Sequence, residues 1–280
     1  YLSQPAVSLH ISNLEKQLGL ELFRRNGRSI QLSEAGRILL PMAQDALRHS
    51  RHIEETMCGL KGVLIGDLAI ACSTTVGKYI LPRLVAGFRR CHPHVRVTIN
   101  VMPRRTAIEW LQGGRAEVAL VSAKVHSADL SCHPFADDRV ILIVPADHPW
   151  ADGRTVQPAD LLTQPFIARE TAAGAYEALA EGLAAHDLRI DQLETVLTLA
   201  NAEAIEMSVE AGIGVAFVSR LAAERGLALG KVVEVPVAGL DMTREIYIVR
   251  HQHRSTSPLH KAFWEFALSE ENEAVRSLGA

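Results

Sequence analysis

Two groups of residues in this 280-residue chain have types and spacings that bear on chemistry. The first lies at the start. Gln4, Ser8, Ser12 and Lys16 recur at four-residue intervals, and Arg24, Arg25 and Arg28 flank an Asn26-Gly27 pair. Hydrogen-bonding side chains of middling length suit base edges and phosphates, and arginines suit phosphates. The second group is Ser73-Thr74-Thr75, placed between an apolar run and a helical segment. Three hydroxyls beside a helix N-terminus can receive a carboxylate, sulfate or phosphate, or can simply cap the helix. Arg104 follows a second apolar run and Ser122 a third. A guanidinium pairs bidentately with carboxylate or sulfate, so Arg104 is either an anion ligand or an ordinary surface arginine.

Catalytic patterns are missing: there is no GxSxG, HExxH or phosphate-binding glycine loop, and no GxGxxG after a strand. No catalytic residue, metal ligand or resident cofactor is expected. His92-Pro93-His94 and His251-Gln252-His253 are incidental pairs in loops. The four cysteines, Cys58, Cys72, Cys91 and Cys132, lie 14, 19 and 41 residues apart, with neither a CxxC nor a zinc spacing. They are read as thiols in a reducing compartment.

The elements that must hold these residues follow from periodicity. Val7, Ile11, Leu14 and Leu18 mark one face of a helix that Ser3 begins, Pro5 permits in its first turn and Gly19 ends. The Asn-Gly between two short alternating runs predicts a β-hairpin with the arginines near its tip. Ser33 opens a third segment with apolar or small residues at Leu39, Met42, Ala46, His49, Ile53, Met57 and Leu60. That near-heptad seam predicts a dimerising helix of about 26 residues, roughly 39 Å long. Pro41 inside it is expected to kink it. Charge is divided to match: residues 1–40 carry five Lys/Arg against three Glu, while the remainder carries 24 against 29 Asp/Glu. A basic head on an acidic body permits nucleic-acid binding at one end.

Beyond Gly62 strands alternate with helices. Runs at 68–72, 95–101, 118–121, 139–145, 166–168, 194–198, 215–218, 232–235 and 245–249 read as strands, and 106–112, 175–186, 202–211 and 258–268 as helices. The alternation predicts an α/β fold around a mostly parallel sheet. No apolar run approaches the ~18 residues that span a bilayer, and no signal peptide opens the chain, so a cytoplasmic protein with no membrane partner is expected.

Taken together, Ser3-Gln4-Pro5-Ala6-Val7-Ser8, Ile11-Ser12-Asn13-Leu14-Glu15, Leu18-Gly19, Leu22-Phe23-Arg24-Arg25 and Leu32-Ser33-Glu34-Ala35-Gly36 resemble the DNA-binding domain of LysR-type transcriptional regulators. The resemblance continues through Gly87-Phe88, His92-Pro93, Leu111 to Ala119, His148-Pro149, Asp160-Leu161 and Val209-Glu210-Ala211-Gly212-Ile213-Gly214. It implies a partial winged helix-turn-helix over 1–32, a linker helix over 33–61 and a two-lobed, periplasmic-binding-protein-like effector domain over 62–280. Its lobes would be 63–143 with 249–280, and 144–248. Such regulators begin with about a helix and a half more than precedes Ser3 here, so a truncated head is expected.

By the same resemblance Ser3, Gln4, Pro5, Ser8, Ser12 and Lys16 would meet double-stranded DNA, with Arg24, Arg25 and Arg28 on the wing. Ser73, Thr74, Thr75, Arg104 and Ser122 from one lobe, and Thr171 and Asn201 from loops of the other, would surround a small-molecule effector. Arg104 makes an anionic effector the expected class. Gly174 resembles the glycine of the family's loop at that point. The protein would assemble as a homodimer or homotetramer. The competing reading is a solute-binding module with no DNA-directed role, against which the basic hairpin and the Gln-Pro helix speak. An enzyme on the same two-lobed fold lacks any nucleophile or metal constellation.

Overall fold

The structure is a computed structural model that describes residues 3–27, 29–171, 174–254 and 256–279. It divides into two compact units, Tyr1–Gly62 and Val63–Ala280.

In the first unit α1 spans Gln4–Leu18 and stops at Gly19, whose φ of 65° is the left-handed conformation that glycine adopts without steric cost. Ser3 holds the N-cap position, but its side chain makes no capping hydrogen bond. Strands β1 (Phe23–Asn26) and β2 (Ser29–Leu32) form the expected antiparallel hairpin, with Arg24 opposite Gln31 and Arg25 opposite Ile30. Its base is clipped from both sides. Glu15 Oε1 accepts the Leu22 and Phe23 backbone N–H groups at 2.7 and 3.2 Å, and the Ser33 hydroxyl donates to the Glu21 carbonyl at 2.6 Å. Gly36 lies so close to the Leu22 carbonyl that a Cβ would come within 2.1 Å of it. Helix α2, Glu34–Gly59, is 26 residues long; Ser33 caps it by accepting from the Gly36 N–H at 3.0 Å. The helix is continuous through Pro41.

The second unit contains β3 (Gly66–Cys72), a π-turn at Val76–Ile80, α3 (Leu81–Cys91), β4 (Val95–Val101), α4 (Arg104–Gln112), β5 (Val118–Val121) and β6 (Leu130–Pro145). There follow β7 (Pro165–Arg169), α5 (Gly174–Ala184), β8 (Glu194–Leu199), α6 (Ala202–Glu210), β9 (Ala216–Ser219), α7 (Arg220–Ala228), β10 (Val232–Val235) and β11 (Met242–His251), then α8 (Pro258–Leu268) and α9 (Glu273–Arg276). The order in the seven-stranded sheet is β10-β6-β11-β5-β3-β4, with β9 also pairing β6; β7 and β8 pair separately.

This sheet is mixed rather than mostly parallel. β3 runs parallel to β4 and β5, whereas β6 is antiparallel to β9, β10 and β11, and β11 to β5. The cause is the length of β6, which begins at Leu130, nine residues before the apolar run at Arg139. Its polar first half contains Pro134, near a register shift at Ile246/Tyr247 in the partner strand. Irregular pairing is where a strand tolerates proline.

The hydrophobic core has two main centres. Leu68, Ile70, Leu84, Phe88, Ile248 and Phe263 pack in one, and Leu142, Leu161, Phe166, Leu183, Phe217 and Val235 in the other. Both β6 and β11 feed both centres: β6 gives Phe135 to the first and Val140 to the second, while β11 gives Ile246 to the first and Met242 to the second. The chain therefore crosses between two lobes twice, on strands hydrogen-bonded to each other, which is the architecture of a hinged clamp.

Candidate effector cleft and DNA-contacting head

A cavity of about 290 Å³ opens where the carboxyl ends of β3, β4 and β5 face β7, α5 and α6. Ligands in open α/β sheets sit outside strand carboxyl ends, so this is where the topology places a site. Ser73, Thr74, Thr75, Arg104 and Ser122 all line it. Three helices also begin on it: Arg104 starts α4, Gly174 starts α5 and Ala202 starts α6.

The hydroxyl loop is held in place from several directions. The Ser73 N–H donates to the Leu120 carbonyl at 3.1 Å, and the Gly77 N–H donates to the Ser73 carbonyl at 3.0 Å. Arg244 Nη2 donates to Thr75 Oγ1 at 3.0 Å. The Ser73 hydroxyl itself is buried and has no hydrogen-bond partner among the described residues. A buried polar atom left this way costs roughly 1–3 kcal/mol, so such atoms generally mark a strained or ligand-binding position.

Opposite it stands Arg169, at the end of β7, with 11% of its side chain exposed. Its Nε is buried and likewise unpartnered among the described residues; its terminal nitrogen lies 3.9 Å from Glu170, a long ion pair. Burial pulls the Arg169 pKa down from its ordinary value, and Arg244 adds to that pull. A guanidinium does not lose its proton in a protein, so Arg169 keeps its charge in this buried setting.

Arg244 and Asp138 were not apparent as site residues in the sequence. They face each other across the β6–β11 pair, between the two core centres. Asp138 is fully buried; its Oδ2 accepts Arg244 Nε at 2.7 Å, and its Oδ1 accepts the Ser219 hydroxyl at 2.5 Å. Arg244 thereby touches the buried aspartate and the hydroxyl loop at once. Each residue sits in a polar stretch of its strand, Asp138 between Asp137 and Arg139 and Arg244 between Thr243 and Glu245, a pattern a sequence also shows at any half-exposed strand. Gly174 presses on the same corner, where a Cβ would lie 2.7 Å from the Ser122 hydroxyl and 2.8 Å from Arg244 Nη1.

Two expected residues stand apart from the cavity. Asn201 is the N-cap of α6, its side-chain oxygen accepting the Glu203 and Ala204 N–H groups at 2.9 and 3.1 Å, and Ala202 lines the cavity instead. Thr171 is exposed and does not line the cavity. Pairs of opposite charge cross the cleft. Lys78 Nζ and the Tyr79 hydroxyl donate to Glu203 at 2.6 and 2.5 Å, and Arg104 reaches Glu177 at 3.5 Å.

On the head, Ser3, Gln4, Pro5, Ser8, Lys16, Arg24 and Arg25 are exposed and Ser12 is half-buried. Arg24 and Arg25 are successive strand residues and so project to opposite faces of the hairpin. Arg28 lies outside the described residues. Along α2 the exposed apolar residues include Ile38, Met42, Ile53 and Met57, followed by Leu60 at its C-cap.

Among the described residues no three His, Cys, Asp or Glu side chains gather as a metal site, and no helix is long and apolar enough to cross a membrane. The four cysteines are free, and burial pushes the Cys72 thiol up to about 12, far from reactivity at neutral pH.

Residues 1–37 match the family described as bacterial regulatory helix-turn-helix protein, lysR family, and residues 61–271 match the LysR substrate binding domain. The chain is 32% identical to a probable RuBisCO transcriptional regulator of Synechocystis over 94% of its own length and 77% of the relative's. It is also 32% identical to the RuBisCO operon transcriptional regulator of Allochromatium vinosum, over 96% and 88%. Among solved structures it resembles the Synechocystis CcmR regulatory domain in complex with 2-PG, with TM-score 0.67, 23% identity and coverage of 77% of this chain and 100% of that one. Full-length OxyR from Pseudomonas aeruginosa gives TM-score 0.70 at 21% identity, covering 98% of this chain and 86% of that one. A lysR-type helix-turn-helix joined to a two-lobed clamp, with both halves matched, leaves one reading: the chain belongs to the LysR family of DNA-binding transcriptional regulators, whose members are not enzymes.

Proposed function

We propose that the cleft senses a small anion and that its occupancy alters promoter binding by the head. The observation that carries this is the pair of buried, unpartnered donors, Ser73 Oγ and Arg169 Nε, lining one cavity on which three helices begin. Hydroxyl and guanidinium donors beside helix N-termini favour carboxylate, sulfate or phosphate. Arg104, Thr74, Thr75 and Ser122 complete the inner surface; Thr171 and Asn201 act only through their loops. The complex of the CcmR regulatory domain with 2-PG fits an anion as the class.

The domain plan we infer is a head over 1–32, a linker helix over 33–61 and an effector domain over 62–280, with lobes 63–143 plus 249–280 and 144–248. The division into compact units at Gly62 supports the outer limit. The strands change cores near Asp138 and Arg244, a few residues before the inner limits read from the sequence. The exposed apolar stripe of α2 supports pairing of two copies through the linker, as a homodimer or a homotetramer built from it. In the head, Ser3, Gln4, Pro5, Ser8, Ser12, Lys16, Arg24, Arg25 and Arg28 are the residues we place at DNA. Such a regulator works in the cytoplasm.

Thermal melting with sulfate, phosphoglycolate, phosphoglycerate and aromatic carboxylates tests the anion. A ligand at about 100-fold its Kd adds roughly 2.7 kcal/mol. We expect at least one anion to raise the Tm, and Arg169→Ala and Ser73→Ala to remove the rise. No stabilisation by any of them, or a rise that both variants retain, contradicts the proposal.

A further inference from the structure

The cleft holds as many fixed acids as bases. Arg104, Arg169 and Arg244 line it, with Glu177 and Glu170 also on its surface and Asp138 directly behind Arg244. An added anion therefore enters a site with no surplus positive charge, and one of the acids has to give way.

The three acids are not equivalent. Asp138 is fully buried and accepts hydrogen bonds from both Arg244 and Ser219, so it stays. Glu170 is 3.9 Å from Arg169, too far to satisfy the guanidinium. Of these three acids, Glu177 is the one that reaches across the cleft to a lining arginine: it lies in the first turn of α5 and meets Arg104, the first residue of α4, at 3.5 Å. Its side chain is 50% exposed and Arg104's is 44% exposed. A carboxylate so placed can turn into water without being stranded in a low-dielectric interior. While it faces Arg104 it makes the same contact that an anionic ligand would make.

We infer that Glu177 is an internal competitor for Arg104, a carboxylate that the effector must displace and that sets the concentration at which the cleft responds. This rests on the cleft taking an anion. The position also explains why the pair spans two lobes. Glu177 on α5 and Arg104 on α4 bridge the opening, so an anion that takes Arg104 breaks one of the contacts joining the lips and replaces it with its own. Glu177 is thus a specificity-determining residue of the cleft. It penalises any ligand that uses Arg104, and spares a ligand that binds at Arg169 and Ser73 alone.

The test is titration calorimetry of the full chain with sulfate and with phosphoglycolate, for the wild type, Glu177→Gln, Arg104→Ala and the double variant. Half-exposed ion pairs of this kind correspond to about two- to five-fold in a binding constant. Glu177→Gln should therefore bind both anions about two- to five-fold more tightly than the wild type, and the gain should vanish in the Arg104→Ala background. A gain in affinity cannot come from misfolding. Unchanged affinity in Glu177→Gln, or a gain that persists without Arg104, overturns the inference while leaving the anion cleft standing. Weaker binding also overturns it and makes Glu177 a residue that positions Arg104 for the anion. Failure of every anion to bind any of the four proteins removes the cleft reading and this inference together.

Discussion

At the residue scale the cleft is organised by how completely each charge is paired. Arg244 is held by Asp138, Arg104 meets the half-exposed carboxylate of Glu177, and Arg169 has a long contact to Glu170 and a buried Nε with no described partner. This gradient is why we propose Arg169 as the anchor for an incoming anion. A second strained group lies on the far side of α6. Glu206 is 4% exposed, its Oε1 has no described partner, and Gly226 faces it so closely that a Cβ would come within 1.9 Å of that oxygen. Burial, with help from Glu210, raises the Glu206 pKa above the usual carboxylate range. The folded state thus holds this proton more tightly than the unfolded chain, whose carboxylates titrate near about 4.3. The stabilising contribution is complete below that pH and is lost as pH rises through the folded value. Glu206→Gln should therefore be more stable than the wild type at pH 7 by about 1 kcal/mol, with the gap closing toward pH 4. Urea unfolding at the two pH values measures it; a gap that is equal at both would contradict the assignment.

At the element scale the parts visible in the sequence were those with local signals. Ser33 and Gly19 mark helix ends by capping chemistry, Asn26-Gly27 marks the hairpin, and the apolar runs at 68–72 and 118–121 mark buried strands; all lie where expected. The elements that escaped are those without such signals. The first half of β6 reads Ser-Cys-His-Pro and lacks apolar alternation, so the long crossing strand looked short and the sheet looked parallel. Helix α7 was hidden in an Ala-rich stretch with weak periodicity. The cleft was legible where residues follow a strand end, as at Ser73 and Arg104, and illegible where the partner comes from mid-strand, as at Asp138 and Arg244. Asn201 is ambiguous in the sequence because an asparagine after a strand serves a helix cap as readily as a ligand. The stripe on α2 carries its own expectation. Ile53 is 61% exposed in the single chain, and burying such a side chain against a second copy contributes about 1.5–3 kcal/mol. Ile53→Lys should shift the protein from dimer toward monomer in light scattering, without lowering the helical signal in circular dichroism. An unchanged mass would place the contact elsewhere.

At the scale of the whole molecule, the two lobes share a hinge of two hydrogen-bonded strands, and Asp138 and Arg244 sit on it, with Arg244 also lining the cleft. Contacts at the lips join hydrogen-bond donors of the first lobe to acids of the second: Lys78 and the Tyr79 hydroxyl to Glu203, Arg83 to Glu224 and Arg104 to Glu177. A ligand that changes these contacts has a differential affinity for the clamp's conformations, which is the condition for shifting their populations. By linkage, the same ligand must change DNA affinity if the head responds to those conformations, and DNA must change ligand affinity by the same factor.

The most direct test is DNA binding by the full chain to the promoter region upstream of its own gene, at fixed salt, with and without the anion that gives the largest thermal shift. A coupling of 1–3 kcal/mol is typical of such systems, about 5- to 150-fold in affinity. The expected result is a shift in the DNA-binding midpoint within that range for the wild type and none for Arg169→Ala, whose affinity without the anion should match the wild type's. A midpoint that ignores every anion, or one that shifts equally in Arg169→Ala, would contradict a cleft that senses an anion and reports it to the DNA-binding head.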